Sequence, residues 1–286
     1  APYLGIATDG DADRIGLVIR DNNGEYVLIN GNQIVMIFLN YLMTRNTELG
    51  TLTGNEYIVK TIVTTETIRT IAEAQHIKMY DCFTGFKWIA NVMRENEGKA
   101  RYLGGGEESY GFLAEDFVRD KDSVSAISLM AEIAAWAKDK GLNMTDMLID
   151  IYMKYGFSRE KGISLVRKGK SGAEEIIALM KQFRENPPKE IAGSPVVTVK
   201  DFQSLVETNV ATGETKKLDM PATSNVLQYY TADRTKVSVR PSGTEPKIKF
   251  YIEVHDTLAS ADEYKATEAR ADEKIDRIAK EFGITK

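Results

Sequence analysis

The stretch YIVKTIVTTETIRTIAEAQHIKMYDCFTGFKWIANVMREN, residues 57–96, decides the fold. Tyr57–Val63 is a β-branched run of strand length, Glu66–Ala74 reads as helix, Ile77–Tyr80 as a short strand and Lys87–Asn96 as a second helix. Strands that alternate with helices predict a parallel sheet covered by helices.

Reading outward to the N-terminal side, Leu4-Gly-Ile-Ala7 is a short apolar run that ends in an acidic loop. Ile15, Leu17 and Ile19 alternate along a strand, Asp21-Asn-Asn-Gly24 supplies a hairpin turn, and Tyr26–Ile29 returns. Asn30 or Asn32 can cap the helix that follows, which shows Ile34, Phe38 and Tyr41/Leu42 on one face. On the other side, Tyr102-Leu103 leads into the glycine cluster Gly104–Gly106 and an acidic loop. Ser123–Lys138 is a helix apolar nearly all round, which predicts burial on most sides, and Thr145–Tyr155 closes this α/β domain. Residues 156–170, with Gly156, Gly162 and Gly169, read as a hinge or linker strand.

The remainder has a different rhythm. A helix carrying Ile176, Ile177, Met180 and Phe183 stops at Pro187-Pro188. Strands follow near 195–200, 225–231, 236–240 and 247–254, and a terminal helix aligns Tyr264, Ala271, Ile275, Ile278 and Phe282. This order predicts a small α+β domain with an antiparallel sheet.

The 286 residues are enough for two domains and part of a third, and 43% hydrophobic with 28% charged residues is ordinary for a globular chain. A net charge of −5 argues against a nucleic-acid partner. No apolar run reaches membrane-span length, the first residues form no signal peptide, and a lone Cys82 excludes a disulfide framework; a cytoplasmic location is expected. With His76 and His255 the only histidines, the chemistry must rest on carboxylates, lysines, arginines and hydroxyls.

Three loops carry such groups. Asp9-Gly10-Asp11-Ala12-Asp13-Arg14 follows a strand, and carboxylates at i, i+2 and i+4 on extended backbone project to one side, where they require a cation. Small residues between them suit a hard divalent ion. An EF-hand is excluded, because the sixth position is Arg14 and the twelfth is Arg20; a phosphatase with Asp9 as nucleophile and a solvated acidic turn stay open. Gly106-Glu-Glu-Ser-Tyr-Gly-Phe112 places carboxylates beside a hydroxyl on a glycine-bearing loop, a set suited to adjacent sugar hydroxyls and equally to a plain polar turn. Arg240-Pro-Ser-Gly-Thr-Glu-Pro-Lys247 lies between two strands. Arg240 offers a fork, Ser242 and Thr244 offer hydroxyls, Gly243 frees backbone N–H groups for an anion nest, and Lys249 lies near on the next strand. A phosphate suits this turn, and a type I turn led by Pro241 is compatible with it.

Taken together and in this order, the loops resemble the metal, sugar and phosphate loops of the α-D-phosphohexomutase superfamily, and Thr84-Gly-Phe-Lys87-Trp88 resembles one of its substrate-contacting segments. The sugar-loop wording is most similar to the phosphoglucomutase branch. The resemblance implies an isomerase that moves phosphate between C1 and C6 of glucose phosphate through a phosphoserine and a bisphosphorylated sugar. It implies Mg²⁺ on Asp9, Asp11 and Asp13, Arg14 and Lys87 at the reacting phosphate, and substrate contacts from Lys60, Lys87, Glu107, Ser109, Arg240, Ser242, Gly243, Thr244 and Lys249. Its partners would be hexose phosphate and glucose 1,6-bisphosphate. The fold would be α/β: 1–45 as the end of a second domain running into the third, 46–160 as the third, a mixed-sheet α/β domain, and 161–286 as a small fourth, antiparallel α+β domain.

That superfamily carries its phosphoserine in a Ser-His-Asn context, whereas His76 follows Gln75 and His255 follows Val254. The chain is therefore expected to lack its N-terminal domains and to bind without turning over. Phosphomannomutase, phosphopentomutase and phosphoglucosamine mutase are rival activities, and a non-catalytic sugar-phosphate binding module is the rival of another class.

Overall fold

A computed structural model describes residues 3–167, 169–243 and 245–285. It divides into two compact units, Ala1–Gly156 and Phe157–Lys286.

In the first unit, β1 (Leu4–Thr8), β2 (Ile15–Arg20) and β3 (Tyr26–Ile29) form an antiparallel sheet, with Thr8 opposite Ile15 across the acidic loop. Ile15, Leu17 and Ile19 point inward, as their alternation requires. Next comes α1 (Gly31–Glu48), started by a capping box in which Asn30 and Gln33 satisfy each other's backbone N–H. The second sheet uses β4 (Glu56–Thr61), β5 (Lys78–Cys82), β6 (Arg101–Gly106) and β7 (Phe112–Ala114) in the order β5-β4-β6-β7. β5 and β6 run parallel to β4, joined through α2 (Thr67–Ala74) and α3 (Phe86–Asn96), while β7 is antiparallel. Every residue of β4 is buried, as expected of a central strand covered on both faces. Tyr57, Val59, Phe86, Ile89 and Leu113 belong to the core cluster that α3 shares with the sheet. Phe38 of α1 stacks on Phe112, centroids 4.3 Å apart. α4 (Ser123–Asp139) and α5 (Met144–Tyr155) complete the unit.

Two local readings change here. Gly104–Gly106 are not a loop but the end of β6, and they are glycine for packing: a Cβ on Gly105 would lie 2.7 Å from the Val59 carbonyl oxygen, and one on Gly106 2.7 Å from Val35 Cγ2. α4 buries one stripe (Ala126, Leu129, Met130, Ile133, Ala134, Ala137) and leaves Ala131 and Ala135 exposed, because alanine demands little burial.

In the second unit, β8 (Phe157–Val166) is a full ten-residue strand where the sequence suggested a hinge or linker; its polar composition follows from its place at a sheet edge. α6 (Gly169–Glu185) follows, then β9 (Glu190–Ile191), β10 (Ser194–Asp201), β11 (Val206–Asn209), β12 (Thr215–Lys217), β13 (Leu227–Thr231), β14 (Lys236–Pro241), β15 (Lys247–Asp256) and α7 (Tyr264–Glu281). The sheet is antiparallel in the order β12-β11-β10-β13-β14-β15-β8, with β9 on β10. Ile248, Phe250, Ile252 and Val254 alternate into the core, where Phe250 meets Phe183 and Phe282. Their neighbours Lys249, Tyr251 and Glu253 therefore share the other face with Arg240, Ser238 and Lys236. Mixed α/β followed by antiparallel α+β is the fold class expected. Among the described residues no helix is long and apolar enough to cross a membrane.

Candidate functional site

β4, β5 and β6 are parallel, so their C-terminal ends open on one edge of the sheet, the edge where α/β sheets hold ligands. The loops there bear Thr64, Thr84-Gly85 and Glu107–Gly111.

Glu107 is buried, and its Oε1 accepts from Gly85 N–H at 2.7 Å, at the start of α3. A helix N-terminus favours this negative charge. Lys87, in the first turn of α3, is exposed with Nζ 5.4 Å from the Trp88 ring centre. The structure thus brings Thr84–Lys87 and the Glu107 loop together. The loop is closed by Glu107 N–H donating to Gly111 O (2.9 Å) and Tyr110 N–H to Glu107 O (3.2 Å), with Tyr110 at φ +74° and Ser109 half-buried. Beneath it, Glu108 accepts from the hydroxyls of Thr61 (3.1 Å) and Thr64 (3.3 Å), while its N–H donates to Thr64 Oγ1. Burial, with Glu107 adding to it, pushes the Glu108 carboxyl above its ordinary value.

Lys60 lies at the same edge but inside it. It is fully buried at the end of β4, with Nζ 2.9 Å from Glu66 Oε1 and 2.8 Å from Asp81 Oδ1. Its ammonium is also 3.4 Å from Thr61 O and Thr64 O, so in this conformation it is paired within the protein at the end of the strand.

The Asp9–Arg14 loop is a turn rather than the extended backbone its spacing suggested. Asp9 Oδ1 faces inward and accepts from Asp13 N–H (3.1 Å) and Arg14 N–H (3.2 Å), and Ala12 takes φ +54°. Burial acts to raise the Asp9 carboxyl, but these two donors and the Arg14 charge outweigh it and hold it below its ordinary value. Asp13 Oδ2 pairs with Lys121 Nζ at 2.8 Å, and Arg14 Nη1 stands 3.6 Å from Asp9 and 3.8 Å from Asp13. Asp11 is exposed. Among the described residues no three acidic, histidine or cysteine side chains converge on a metal position. The residues nonetheless fit a hard divalent ion in kind: all three donors are carboxylates, and Asp13 Oδ1 is shielded from water without a hydrogen-bond partner. Arg14 Nε is likewise shielded and donates to no acceptor.

This loop is tied to the sugar-type loop. Ile15 N–H donates to Tyr110 O at 3.3 Å and Arg14 bridges to Gly111, while Thr8, Asp9, Arg14 and Tyr110 line a shared cavity of about 310 Å³. The supports Thr61, Thr64, Lys121 and Ser123 were not assigned to the site from the sequence, and Gly85 entered only as part of the Thr84–Trp88 segment. Only Lys121-Asp-Ser123, polar residues just before an apolar helix, left a local signal, that of a helix start.

In the second unit Arg240 lies near the end of β14 directly opposite Lys249, with Nη1 3.5 Å from the Tyr251 hydroxyl. The turn is closed by Ser242 N–H donating to Lys247 O at 2.8 Å. Lys247 pairs with Glu245, and Arg167 N–H donates to Pro246 O. Gly243 is outside the left-handed region, and a Cβ there would meet nothing within 4 Å, which leaves its backbone open to solvent. Thr244 lies outside the described residues.

Comparison with known proteins follows the same division. The family model for phosphoglucomutase/phosphomannomutase α/β/α domain III matches residues 30–155, and that for the phosphoglucomutase/phosphomannomutase C-terminal domain matches 185–271. A phosphoglucomutase of Staphylococcus epidermidis is 36% identical over 247 residues, covering 86% of this chain and 44% of that protein. The structure of pp63/parafusin, a phosphoglucomutase from Paramecium, in its open form aligns with a TM-score of 0.60 at 17% identity, over 98% of this chain and 46% of its own. Aspergillus fumigatus N-acetylphosphoglucosamine mutase, in complex with GlcNAc-6P and magnesium, aligns with a TM-score of 0.50 at 14% identity, over 97% of this chain and 50% of its own. The chain thus spans about half the length of these relatives. By both family matches and by the staphylococcal identity, the chain belongs to the phosphoglucomutase/phosphomannomutase family of the α-D-phosphohexomutase superfamily.

Proposed function

We propose that this chain forms the ligand-gripping half of a phosphoglucomutase, which interconverts glucose 1-phosphate and glucose 6-phosphate through a phosphoserine and glucose 1,6-bisphosphate. The observation that carries this reading is the joined pair of loops: a buried Glu107 anchored by Gly85 beside Lys87, hydrogen-bonded in turn to an acidic loop that holds Arg14. Glu107 keeps its second carboxylate oxygen for sugar hydroxyls, with Ser109 as the neighbouring donor and acceptor. Lys87 and Arg14 bring positive charge to the transferring phosphoryl group, and the shielded Arg14 Nε has a donor to give. In the second unit, Arg240 with Ser242, Gly243, Thr244 and Lys249 holds the phosphate that is not reacting.

A magnesium ion on Asp9, Asp11 and Asp13 would neutralise charge at the phosphoryl oxygens. The residues themselves position and orient: a bisphosphorylated sugar must turn end for end, so the sugar and phosphate loops accept either orientation while the aspartate loop stays with the phosphoserine. That serine belongs to residues outside this chain, in domains corresponding to those that complete the longer relatives, and the chain alone binds without turnover. We place residues 1–45 at the end of domain two, 46–160 in domain three and 161–286 in domain four, in a cytoplasmic protein. Steady-state rates of the full-length protein on glucose, mannose and ribose 1-phosphates test the assignment. Glucose 1-phosphate is expected to be preferred, and equal or greater activity on mannose 1-phosphate would overturn the sugar choice.

A further inference from the structure

Ala12 sits in the left-handed region at φ +54°, a conformation in which a Cβ crowds the backbone. Something must hold it, and the holder is 111 residues away in sequence. Ser123, buried at the first position of α4, donates its hydroxyl to Ala12 O at 2.5 Å and its backbone N–H to the same oxygen at 3.3 Å. Asp122 caps the same helix, accepting from Val124 and Ser125 N–H, and its own N–H donates to Phe112 O at 3.1 Å, which fastens the helix start to β7. Asp11 and Asp13 flank Ala12, so the carbonyl that Ser123 grips sets the directions in which these two carboxylates leave the loop.

We propose that Ser123 is a positioning residue for the divalent-ion loop, preorganising Asp11 and Asp13 through the Ala12 carbonyl without touching the ion. This rests on the reading of Asp9, Asp11 and Asp13 as the ion's donors. Without the hydroxyl the Ala12 carbonyl keeps only the longer bond from Ser123 N–H, the left-handed turn is held less firmly, and ion binding must restore it. Loss of one such hydrogen bond corresponds to about a fivefold weaker affinity.

The test is Mn²⁺ titration of the 286-residue chain, read by electron paramagnetic resonance, for wild type, Ser123→Ala, Ser123→Thr and Asp11→Asn. Ser123→Ala is expected to bind Mn²⁺ about fivefold more weakly, and Ser123→Thr, which keeps the hydroxyl, to stay within about twofold of wild type. Ala12→Gly supplies the diagnostic background: glycine adopts the left-handed turn without strain, so the Ser123→Ala loss there should shrink below about twofold. A role in general stability alone would give the same loss in both backgrounds, and that result overturns the proposal, as does wild-type affinity in Ser123→Ala. If wild type binds Mn²⁺ no better than Asp11→Asn, the metal reading itself fails and the inference falls with it.

Discussion

At Ala12 the backbone is held in a left-handed turn by hydrogen bonds from another element, so its strain is measurable. Ala12→Gly is expected to stabilise the first unit by about 1 kcal/mol, the left-handed penalty less the extra chain entropy of glycine, read as a shifted urea midpoint. No shift, or a downward one, would mean that the turn is unstrained. Lys60 asks the opposite question, stability or ligand. Its ammonium is enclosed by Glu66 and Asp81, so Lys60→Met leaves two carboxylates to share Arg69 and should cost about 1–3 kcal/mol. Unchanged stability with weakened sugar-phosphate binding would return Lys60 to the ligand contacts. The sequence made Asp9–Arg14, Glu107 and Arg240 legible because their chemistry is local, a cluster of charge in one short loop. It could not show that Asp9 spends one oxygen on its own backbone, since that depends on the turn the loop takes.

Among the elements, the close approach of α1 to the sugar-type loop carries the sharpest prediction. A Cβ on Gly31 would lie 1.9 Å from the Glu108 carbonyl oxygen, so α1 and the 107–111 loop touch backbone to backbone. Gly31→Ala is expected to destabilise the first unit by about 2–3 kcal/mol by forcing the loop outward. It should also weaken sugar-phosphate binding; a variant with normal stability would contradict the packing described. Strand and helix alternation in 57–96 was readable because central parallel strands are continuous apolar runs. β11 and β12 were not, being short and polar, β12 exposed throughout, and a polar composition made β8 read as a hinge or linker strand. The glycines of β6 look identical in sequence whether they admit a ligand or a packed helix, and only the position of Val35 and Val59 decides.

On the scale of the whole chain, the two units should differ in how acid acts on them. In the turn between β13 and β14, Asp233 receives hydrogen bonds from Thr231 Oγ1 (2.6 Å), Thr235 N–H and Lys274 Nζ (2.6 Å). Burial acts to raise its carboxyl, but these partners, Lys274 first, hold it far below the ordinary range. A depressed folded-state value contributes stability in full above the unfolded value of about 3.9, and that contribution declines below it until pH has fallen through the folded-state value. Asp233→Asn should therefore lower the stability of the second unit clearly more at pH 7 than near pH 2, checked by denaturation at both values; an equal loss at both would refute the linkage. The order of three loops along one chain was legible from the sequence, whereas the links Ser123–Ala12 and Lys121–Asp13 span more than 100 residues and leave no spacing to read. The central claim is that these loops grip a phosphorylated sugar, and calorimetric titration of glucose 1,6-bisphosphate into the chain tests it most directly. The account predicts measurable binding that weakens at least about tenfold in Glu107→Gln and in Arg240→Ala, each having lost a charge-assisted contact; wild-type affinity in either variant, or no binding at all, would contradict it.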